Sequence, residues 1–258
     1  MKQAFAPWAV GLALLSAPAG PAAVPAEAAD PALIARALSD PRRPPEQVAL
    51  DARRKPAVAL AFARVKPGDR VADFMPGNAY FTRMLSAVVG PAGRVYAFVP
   101  TEQVDNCPAD EIAGTRAVAA DPRYANVTVR SARVAAFRVP EKLDLIWTAQ
   151  NYHDLHDLFM GPADVARLNR ALYASLKPGG VLLVIDHVAE SGSGLRDTET
   201  LHRIDPDRLR REIEAAGFRL EAEDDSLRNP LDDHRLPVFD PAIRGATDQV
   251  MFRFRRPR

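Results

Sequence analysis

The fold of this chain is decided by residues 70–89, which read RVADFMPGNAYFTRMLSAVV. The short apolar run from Arg70 to Phe74 predicts a buried strand, and the amphipathic run from Tyr80 to Val89 predicts a helix. A turn with a glycine lies between them. The N-terminus of such a helix offers free N–H groups and a partial positive charge, which suit a carboxylate or a phosphate. The segment is therefore typical of a strand–turn–helix unit in an α/β fold.

The same alternation continues toward the C-terminus. Further strands are predicted over residues 94–99, 127–131, 143–149 and 181–186, and helices over residues 110–120, 163–176 and 206–216. Two late strands, over residues 218–223 and 249–255, are joined without a clear helix, which favours an antiparallel hairpin at one edge. The pattern predicts an α/β fold with a mostly parallel sheet and helices on both faces.

The region before residue 65 has a different pattern. Residues 31–38 predict a short helix, and Pro44 and Pro45 suit the first turn of a longer helix that runs to Ala63. Pro56 is expected to kink that helix. We divide the chain into a leader (1–29), an N-terminal helical extension (30–64) and an α/β domain (65–258).

The leader is typical of a secretory signal peptide. Lys2 gives it a positive start, residues 4–15 are uncharged and mostly apolar, and A-x-A-like cleavage sites follow at residues 17–19 and 26–28. The apolar run is shorter than the about 20 residues that a membrane helix needs. We therefore expect an exported protein, periplasmic or secreted, without a membrane span.

The charge balance argues against a polyanionic partner. The chain has 34 basic and 33 acidic residues, which gives a net charge of +1. Since the arginines are dispersed rather than clustered in a stripe, we expect no nucleic-acid partner. The one cysteine, Cys107, cannot form an internal disulfide and has no obvious base beside it, so we expect it to be structural.

Several motifs together make this chain similar to a bacterial family of exported predicted methyltransferases. The matching segments are Arg54–Ala57, Val65–Gly68, Asp73–Thr82, Asn151–Asp154, Leu176–Val181, Asp186–His187, Leu201–Asp205, Arg228–Pro230 and Asp232–His234. The resemblance covers residues 40–256. It implies the Rossmann-like class I methyltransferase fold, a seven-stranded sheet whose last strand is antiparallel, and S-adenosylmethionine as the cofactor.

The resemblance also implies a cofactor site at the end of the first strand. Asp73 would face the amino group of S-adenosylmethionine, and the backbone from Pro76 through Gly77 to Asn78 would wrap its methionine part. Tyr80 belongs to the same motif and is included in the predicted site.

Two positions depart from the family's pattern. Ala79 replaces a glycine, and we expect its Cβ to lie where the cofactor comes close. The second strand ends without the acid that would hold the ribose, so Glu102 in the following loop is expected to replace it.

The fourth predicted strand is followed by polar residues that could touch the methyl acceptor. His153 is the candidate base, because the pKa of a histidine lies near neutral pH. Asn151 and Tyr152 are candidate acceptor contacts. The alternative is that Asn151 and Asp154 cap the turn and that His153 is a packed or solvated histidine.

All five histidines lie near the carboxyl edge or in loops that could reach it: His153, His156, His187, His202 and His234. With Asp154, Asp157 or Asp186 as further ligands, this set admits a metal site. The spacing from His153 to His156 is loose for one helix face, and no standard metal motif is present. The sequence therefore assigns no metal.

The favoured function is methyl transfer from S-adenosylmethionine to an unidentified, small-molecule acceptor. One alternative is a non-catalytic exported binding protein on a degenerate methyltransferase fold. Another is a metal-dependent enzyme that uses the histidine cluster. Neither the acceptor nor the oligomeric state follows from the sequence.

Overall fold

The computed structural model describes Met1, residues 29–161 and residues 163–258. The predicted signal peptide therefore lies almost wholly outside the described residues. Within them, seven strands form one sheet. They are Arg70–Phe74 (β1), Arg94–Pro100 (β2), Val127–Ala132 (β3), Leu143–Ala149 (β4), Leu176–His187 (β5), Arg219–Asp224 (β6) and Gln249–Arg255 (β7).

The sheet has the strand order β3-β2-β1-β4-β5-β7-β6. The first five strands in this order pair in parallel, and β7 lies antiparallel between β5 and β6. The predicted fold class, with its antiparallel last strand, is confirmed. β5 begins at Leu176, five residues earlier than predicted, because Leu176 already pairs with Leu143 of β4.

Helices cover both faces of the sheet. The described α-helices are Pro31–Leu38 (α1), Pro45–Val48 (α2), Asp51–Arg54 (α3), Pro56–Ala63 (α4), Tyr80–Val89 (α5), Thr101–Asn106 (α6), Ala113–Ala120 (α7), Val165–Ser175 (α8), Thr198–Leu201 (α9) and Pro206–Glu214 (α10). Short 3-10 turns occupy Ala109–Ile112, Pro122–Tyr124, Val134–Ala136, His153–His156 and Leu158–Met160. α5 has the predicted bounds, and the predicted helix over 110–120 is a 3-10 turn followed by α7.

The long helix predicted up to Ala63 is wrong. Three short helices, α2, α3 and α4, replace it. Lys55 takes a left-handed conformation (φ 44°) directly before Pro56, so the chain turns there rather than kinking within one helix. A residue before proline is pushed out of the right-handed helical region, which explains the break.

The two faces of the sheet hold two apolar layers. α8 and α10 pack on one face, with Leu168, Leu172 and Leu209 buried. On the other face α5 packs together with the N-terminal helices, whose Ile34 and Leu60 are buried in the same cluster. The N-terminal extension therefore contributes to the core that supports β1. In the described part of the chain, no helix combines the length and apolarity needed to cross a bilayer.

Candidate functional site

The carboxyl ends of β1, β2, β4 and β5 meet at one edge of the sheet, where ligands bind in open α/β folds. The loop after β1 holds three left-handed residues in five: Met75 (φ 57°), Gly77 (φ 53°) and Ala79 (φ 60°). There is open space beside Gly77. Among the described residues, a Cβ on Gly77 would meet within 4 Å only the carbonyl oxygen of Glu111, at 3.8 Å. A ligand can therefore approach the backbone at Gly77 closely.

The rest of this loop is held by protein contacts. The carbonyl of Gly77 accepts from Thr115 Oγ1 at 2.7 Å, and the side-chain oxygen of Asn78 accepts from the Gly114 N–H at 2.8 Å. The carbonyl of Asn78 accepts from Gln47 Nε2 at 2.7 Å. The turn from Pro76 to Asn78 is thus shaped by residues before β1 and after β2.

The methyl group of Ala79 does not obstruct this loop in the expected way. Ala79 is fully buried and packs with Val118 and Tyr124, in the layer between α5 and α7. Its left-handed backbone turns the Cβ into that layer. The departure from glycine therefore strains the backbone rather than filling the space beside Gly77.

Asp73 ends β1 as a buried carboxyl group. Its exposed fraction is 3%, and it accepts a hydrogen bond from Thr82 Oγ1 at 2.6 Å. Burial raises the pKa of Asp73 to about 7, against a smaller lowering by the Thr82 hydroxyl. A carboxyl group of this kind is poised to ionise when a cation comes near.

Glu102, the predicted substitute for the ribose acid, lies in the first turn of α6. Both of its carboxylate oxygens accept from the Val134 N–H, at 3.2 and 3.1 Å. Thr101 Oγ1 also donates to Glu102, at 3.4 Å. Glu102 therefore joins the ends of β2 and β3 and lines the groove between them.

That groove is a cavity of about 470 Å³. Its walls come from α6, from the turn after β3 and from the loop after β4. Lining residues include Thr101, Glu102, Asn106, Arg133, Phe159 and Arg167. Asn106 Nδ2 closes one side by donating to the Phe159 carbonyl at 2.9 Å. A space of this size accommodates a nucleoside-sized ligand.

Tyr80 faces the N-terminal extension. Its hydroxyl donates to Asp51 Oδ1 at 2.6 Å, and the guanidinium of Arg54 lies 4.7 Å above its ring. These contacts tie α3 to α5. The predicted role of Tyr80 in cofactor binding stays a prediction.

Asn151 and Tyr152 use their polar atoms within the protein. Asn151 Nδ2 donates to the Met75 carbonyl at 2.7 Å, so it links the loop after β4 to the loop after β1. The Tyr152 hydroxyl donates to Glu212 at 3.2 Å and accepts from Asn169 at 2.8 Å. Their predicted acceptor contacts stay predictions.

His153 is buried between two carboxylates. Its Nδ1 lies 2.7 Å from Asp186, and its Nε2 lies 3.1 Å from Asp154. Burial opposes the charged ring, but Asp186 and Asp154 outweigh it and raise the pKa of His153 well above its usual value. A general base must be unprotonated at working pH. This environment therefore opposes the predicted role of His153 as a base.

Three of the five histidines lie near one another. The ring centroid of His153 is 5.6 Å from that of His202 and 6.0 Å from that of His187. Other polar contacts differ: His156 Nε2 lies 3.0 Å from Glu212, His187 Nδ1 2.8 Å from Thr247, and His234 Nε2 3.0 Å from Asp248. Burial lowers the pKa of His187 to about 3, so it stays neutral.

No protein-family model and no curated protein matches the chain. Solved structures match most of it. A SAM-dependent methyltransferase from Aquifex aeolicus superposes with a TM-score of 0.55 at 18% identity, over 88% of this chain and 98% of its own. An S-adenosylmethionine-dependent methyltransferase from Mesorhizobium loti gives 0.56 at 16% identity, over 80% and 100%. The chain has the class I methyltransferase fold.

This likeness concerns the fold, because the sequence identities are low. The cyclase SpnF also superposes, with a TM-score of 0.57 at 17% identity over 85% of each chain. A class I methyltransferase fold therefore leaves the reaction open, and the function has to be argued from the site.

One feature of this class I methyltransferase fold had no signal in the sequence. Arg203 and Asp232 form a two-pronged ion pair, at 2.8 and 3.1 Å, with both side chains fully buried. The Asp232–Asp233 pair is expected from sequence to be solvated, so this expectation is wrong for Asp232. The buried pair is further stabilised because Asp232 also accepts hydrogen bonds from the backbone N–H groups of His234 and Asp248. Only a contact between distant loops could have revealed it.

Proposed function

We propose that this protein transfers a methyl group from S-adenosylmethionine to a small-molecule acceptor. The observation that supports the proposal is the loop from Met75 to Ala79, which leaves its backbone open at Gly77 at the end of β1. The neighbours from Aquifex aeolicus and Mesorhizobium loti are named for dependence on the same cofactor. The metal-dependent and non-catalytic alternatives gain no support from these neighbours.

The donor set at this edge suits the cofactor. Asp73 offers a buried carboxyl group for the cationic amino end, and Gly77 offers backbone that a ligand can approach closely. Asn78 is the other predicted backbone contact. Glu102 offers a carboxylate at the wall of the 470 Å³ cavity, to which the hydroxyl groups of a ribose would donate hydrogen bonds. When bound, the cofactor supplies an activated methyl group.

The residues of the chain then have to hold and enclose the acceptor. Asn151 links the loop after β4 to the loop after β1 by a hydrogen bond, which holds the two loops at a fixed distance. Both ring nitrogens of His153 face carboxylates, Asp186 and Asp154, which favours positioning over proton removal as the source of rate. Holding two reactants in line contributes about 7–11 kcal/mol in well-oriented systems. We therefore propose that the acceptor is nucleophilic without a strong base.

Calorimetric titration of the purified chain with S-adenosylhomocysteine tests the cofactor site. We expect saturable binding with a Kd in the micromolar range, and Gly77→Val should weaken it at least tenfold because the side chain fills the open space. Gly68→Val is the matched control, since Gly68 also has positive φ and open space but lies before β1. Absence of binding at millimolar ligand would refute the proposal.

We also propose that the chain is exported to the periplasm or beyond. The support is the sequence of residues 1–29, with its positive start, apolar run and small residues.

A further inference from the structure

Four side chains converge beside the predicted acceptor site. His153, Asp154 and Asp157 follow β4, and His202 ends α9. Each offers one ligand atom, and these four atoms all lie within 4.8 Å of one another. Two imidazoles and two carboxylates thus meet around a common point.

The individual separations suit a single ion. His153 Nε2 lies 3.1 Å from Asp154 Oδ1, and His202 Nδ1 lies 3.8 Å from the same oxygen. His202 Nδ1 lies 3.6 Å from Asp157 Oδ2. Ligands about 2.0–2.2 Å from a tetrahedral zinc ion are about 3.3–3.6 Å apart.

Asp157 is the residue that the protein alone leaves unexplained. Its side chain is 1% exposed, and neither carboxylate oxygen has a partner of good hydrogen-bond geometry among the described residues. The Thr198 hydroxyl lies close enough to interact with Asp157, and it also donates to the Leu195 carbonyl at 3.3 Å. Burial of a carboxylate with so few partners is unfavourable, and a bound cation would offset it.

His202 shows the same deficit. Its Nδ1 is buried and makes no hydrogen bond to the part of the chain that the structure describes, and its backbone takes a left-handed conformation (φ 52°). The ring packs on Phe239, with centroids 4.9 Å apart. The next residue, Arg203, anchors the turn through its buried pair with Asp232. The imidazole is therefore held toward Asp154 and Asp157 at some cost in strain.

His153 has the support that metal-bound histidines usually have. Its Nδ1 lies 2.7 Å from Asp186, which also accepts from the His153 N–H at 2.8 Å. A carboxylate on one ring nitrogen fixes the tautomer and turns the other nitrogen, Nε2, toward the metal. Here Nε2 faces Asp154 and the point of convergence.

We propose that His153 Nε2, Asp154, Asp157 and His202 Nδ1 bind one divalent transition-metal ion of the zinc type. Imidazole nitrogen with carboxylate oxygen favours Zn²⁺ and similar ions over Mg²⁺ or Ca²⁺, which prefer oxygen alone. The site does not depend on methyl transfer, because none of the four groups is assigned to the cofactor.

The site opens toward His202 and Asp154. Their side chains are 28% and 18% exposed, whereas those of His153 and Asp157 are 3% and 1% exposed. A further ligand of the ion would have to come from that side, although His202 Nδ1 itself is buried. A cation held by these four groups would lower the pKa of a bound water molecule.

Titration of the full chain, freed of any tag and treated with chelator, tests the proposal with Zn²⁺ by calorimetry and with Co²⁺ by visible absorption. We expect about one equivalent to bind with a Kd in the micromolar range or below, and the melting temperature to rise. Asp157→Asn and His202→Gln should each weaken binding at least tenfold. Asp186→Asn should weaken it about 10–100-fold through His153.

His156→Gln is the matched control, because His156 is three residues from His153 but pairs with Glu212. It should bind Zn²⁺ like the parent chain. Since Asp157→Asn removes a buried charge with few partners, the metal-free variant should melt no lower than the parent, which shows that it folds. Lack of saturable binding below about 100 μM, or binding that survives combined Asp157→Asn and His202→Gln, would overturn the site.

Discussion

At Asp73 a buried carboxyl group couples the stability of the protein to pH. Its pKa is about 7 in the folded state and near 3.8 in the unfolded chain. Between these values the folded state binds one more proton than the unfolded state. The free energy of unfolding contributed by this group therefore falls as pH rises from about 4 to about 7, by at most about 1.4 kcal/mol per pH unit.

Urea unfolding at pH 5, 6 and 7 measures this slope. Asp73→Asn should flatten it, so the variant gains stability relative to the parent as pH rises. Asp225→Asn, which removes an exposed carboxylate of the loop after β6, should leave the parent profile unchanged. A variant at Asp73 that keeps the parent slope would contradict the prediction.

Ala79 offers a second test at the scale of one residue. Left-handed backbone costs alanine about 1–2 kcal/mol, and Ala79→Gly removes that cost. The substitution also removes a buried methyl group, worth about 0.8 kcal/mol. We expect the free energy of unfolding to stay level or rise by less than about 1 kcal/mol.

The comparison for Ala79 is Ala87→Gly inside α5, which has no strain to relieve. There a glycine should cost about 1 kcal/mol in chemical denaturation. Equal losses at the two positions would mean that the backbone at Ala79 is unstrained.

Some residues of the site could be identified from the sequence, and others could not. The glycine turn after β1 and the placement of His153 after β4 follow from local pattern and strand ends. That Asp157 has so few hydrogen-bond partners, and that His202 reaches it, depends on how α9 folds back on the loop after β4. No local spacing encodes that contact, so the sequence admits a metal site without selecting its ligands.

At the scale of elements, strands were easier to predict than helix breaks. β1, β4 and β7 have the predicted bounds because their apolar runs are bounded by turn residues. The region from Pro45 to Ala63 is apolar enough for one helix, yet the left-handed Lys55 divides it. That conformation is stabilised from outside, since Lys55 Nζ donates to the Ser226 carbonyl beyond β6.

The buried pair of Arg203 and Asp232 joins the turn after α9 to the loop before β7. Arg203→Met leaves the carboxylate without its cation and should cost about 3–5 kcal/mol in urea unfolding. Combined Arg203→Met and Asp232→Asn should recover part of the loss. A double variant as unstable as the sum of the single variants would show that the pair is not coupled.

For the molecule as a whole, the alternation of strands and helices was sufficient to predict a mostly parallel α/β sheet, and the family resemblance added the class I architecture. The contribution of the N-terminal extension was harder to foresee. Ile34 and Leu60 lie in the same buried cluster as residues of α5 and β1. The second face of the sheet is therefore covered by helices that come before residue 65 in the sequence as well as by α5. Tertiary packing of this kind leaves only a weak amphipathic signal in short helices.

Export can be tested on the whole chain. Expressed in a bacterium with a periplasm, the protein should be recovered from that compartment without its leader, with a new N-terminus after residue 19 or after residue 28. Intact mass and N-terminal sequencing decide between the two sites. Replacing residues 8–15 with a charged segment should keep the full-length precursor in the cytoplasm. An unprocessed cytoplasmic parent chain would contradict export.

The position of β7 between β5 and β6 has a consequence for biogenesis. β6 is synthesised before β7, the strand that joins it to the sheet. β5 likewise pairs with β7 only after β7 has been made, as in the pair of His187 with Gln249. Until then both strands present open edges, which attract chaperones or neighbouring chains. The sheet is therefore expected to be completed only after residues 249–255 have been synthesised.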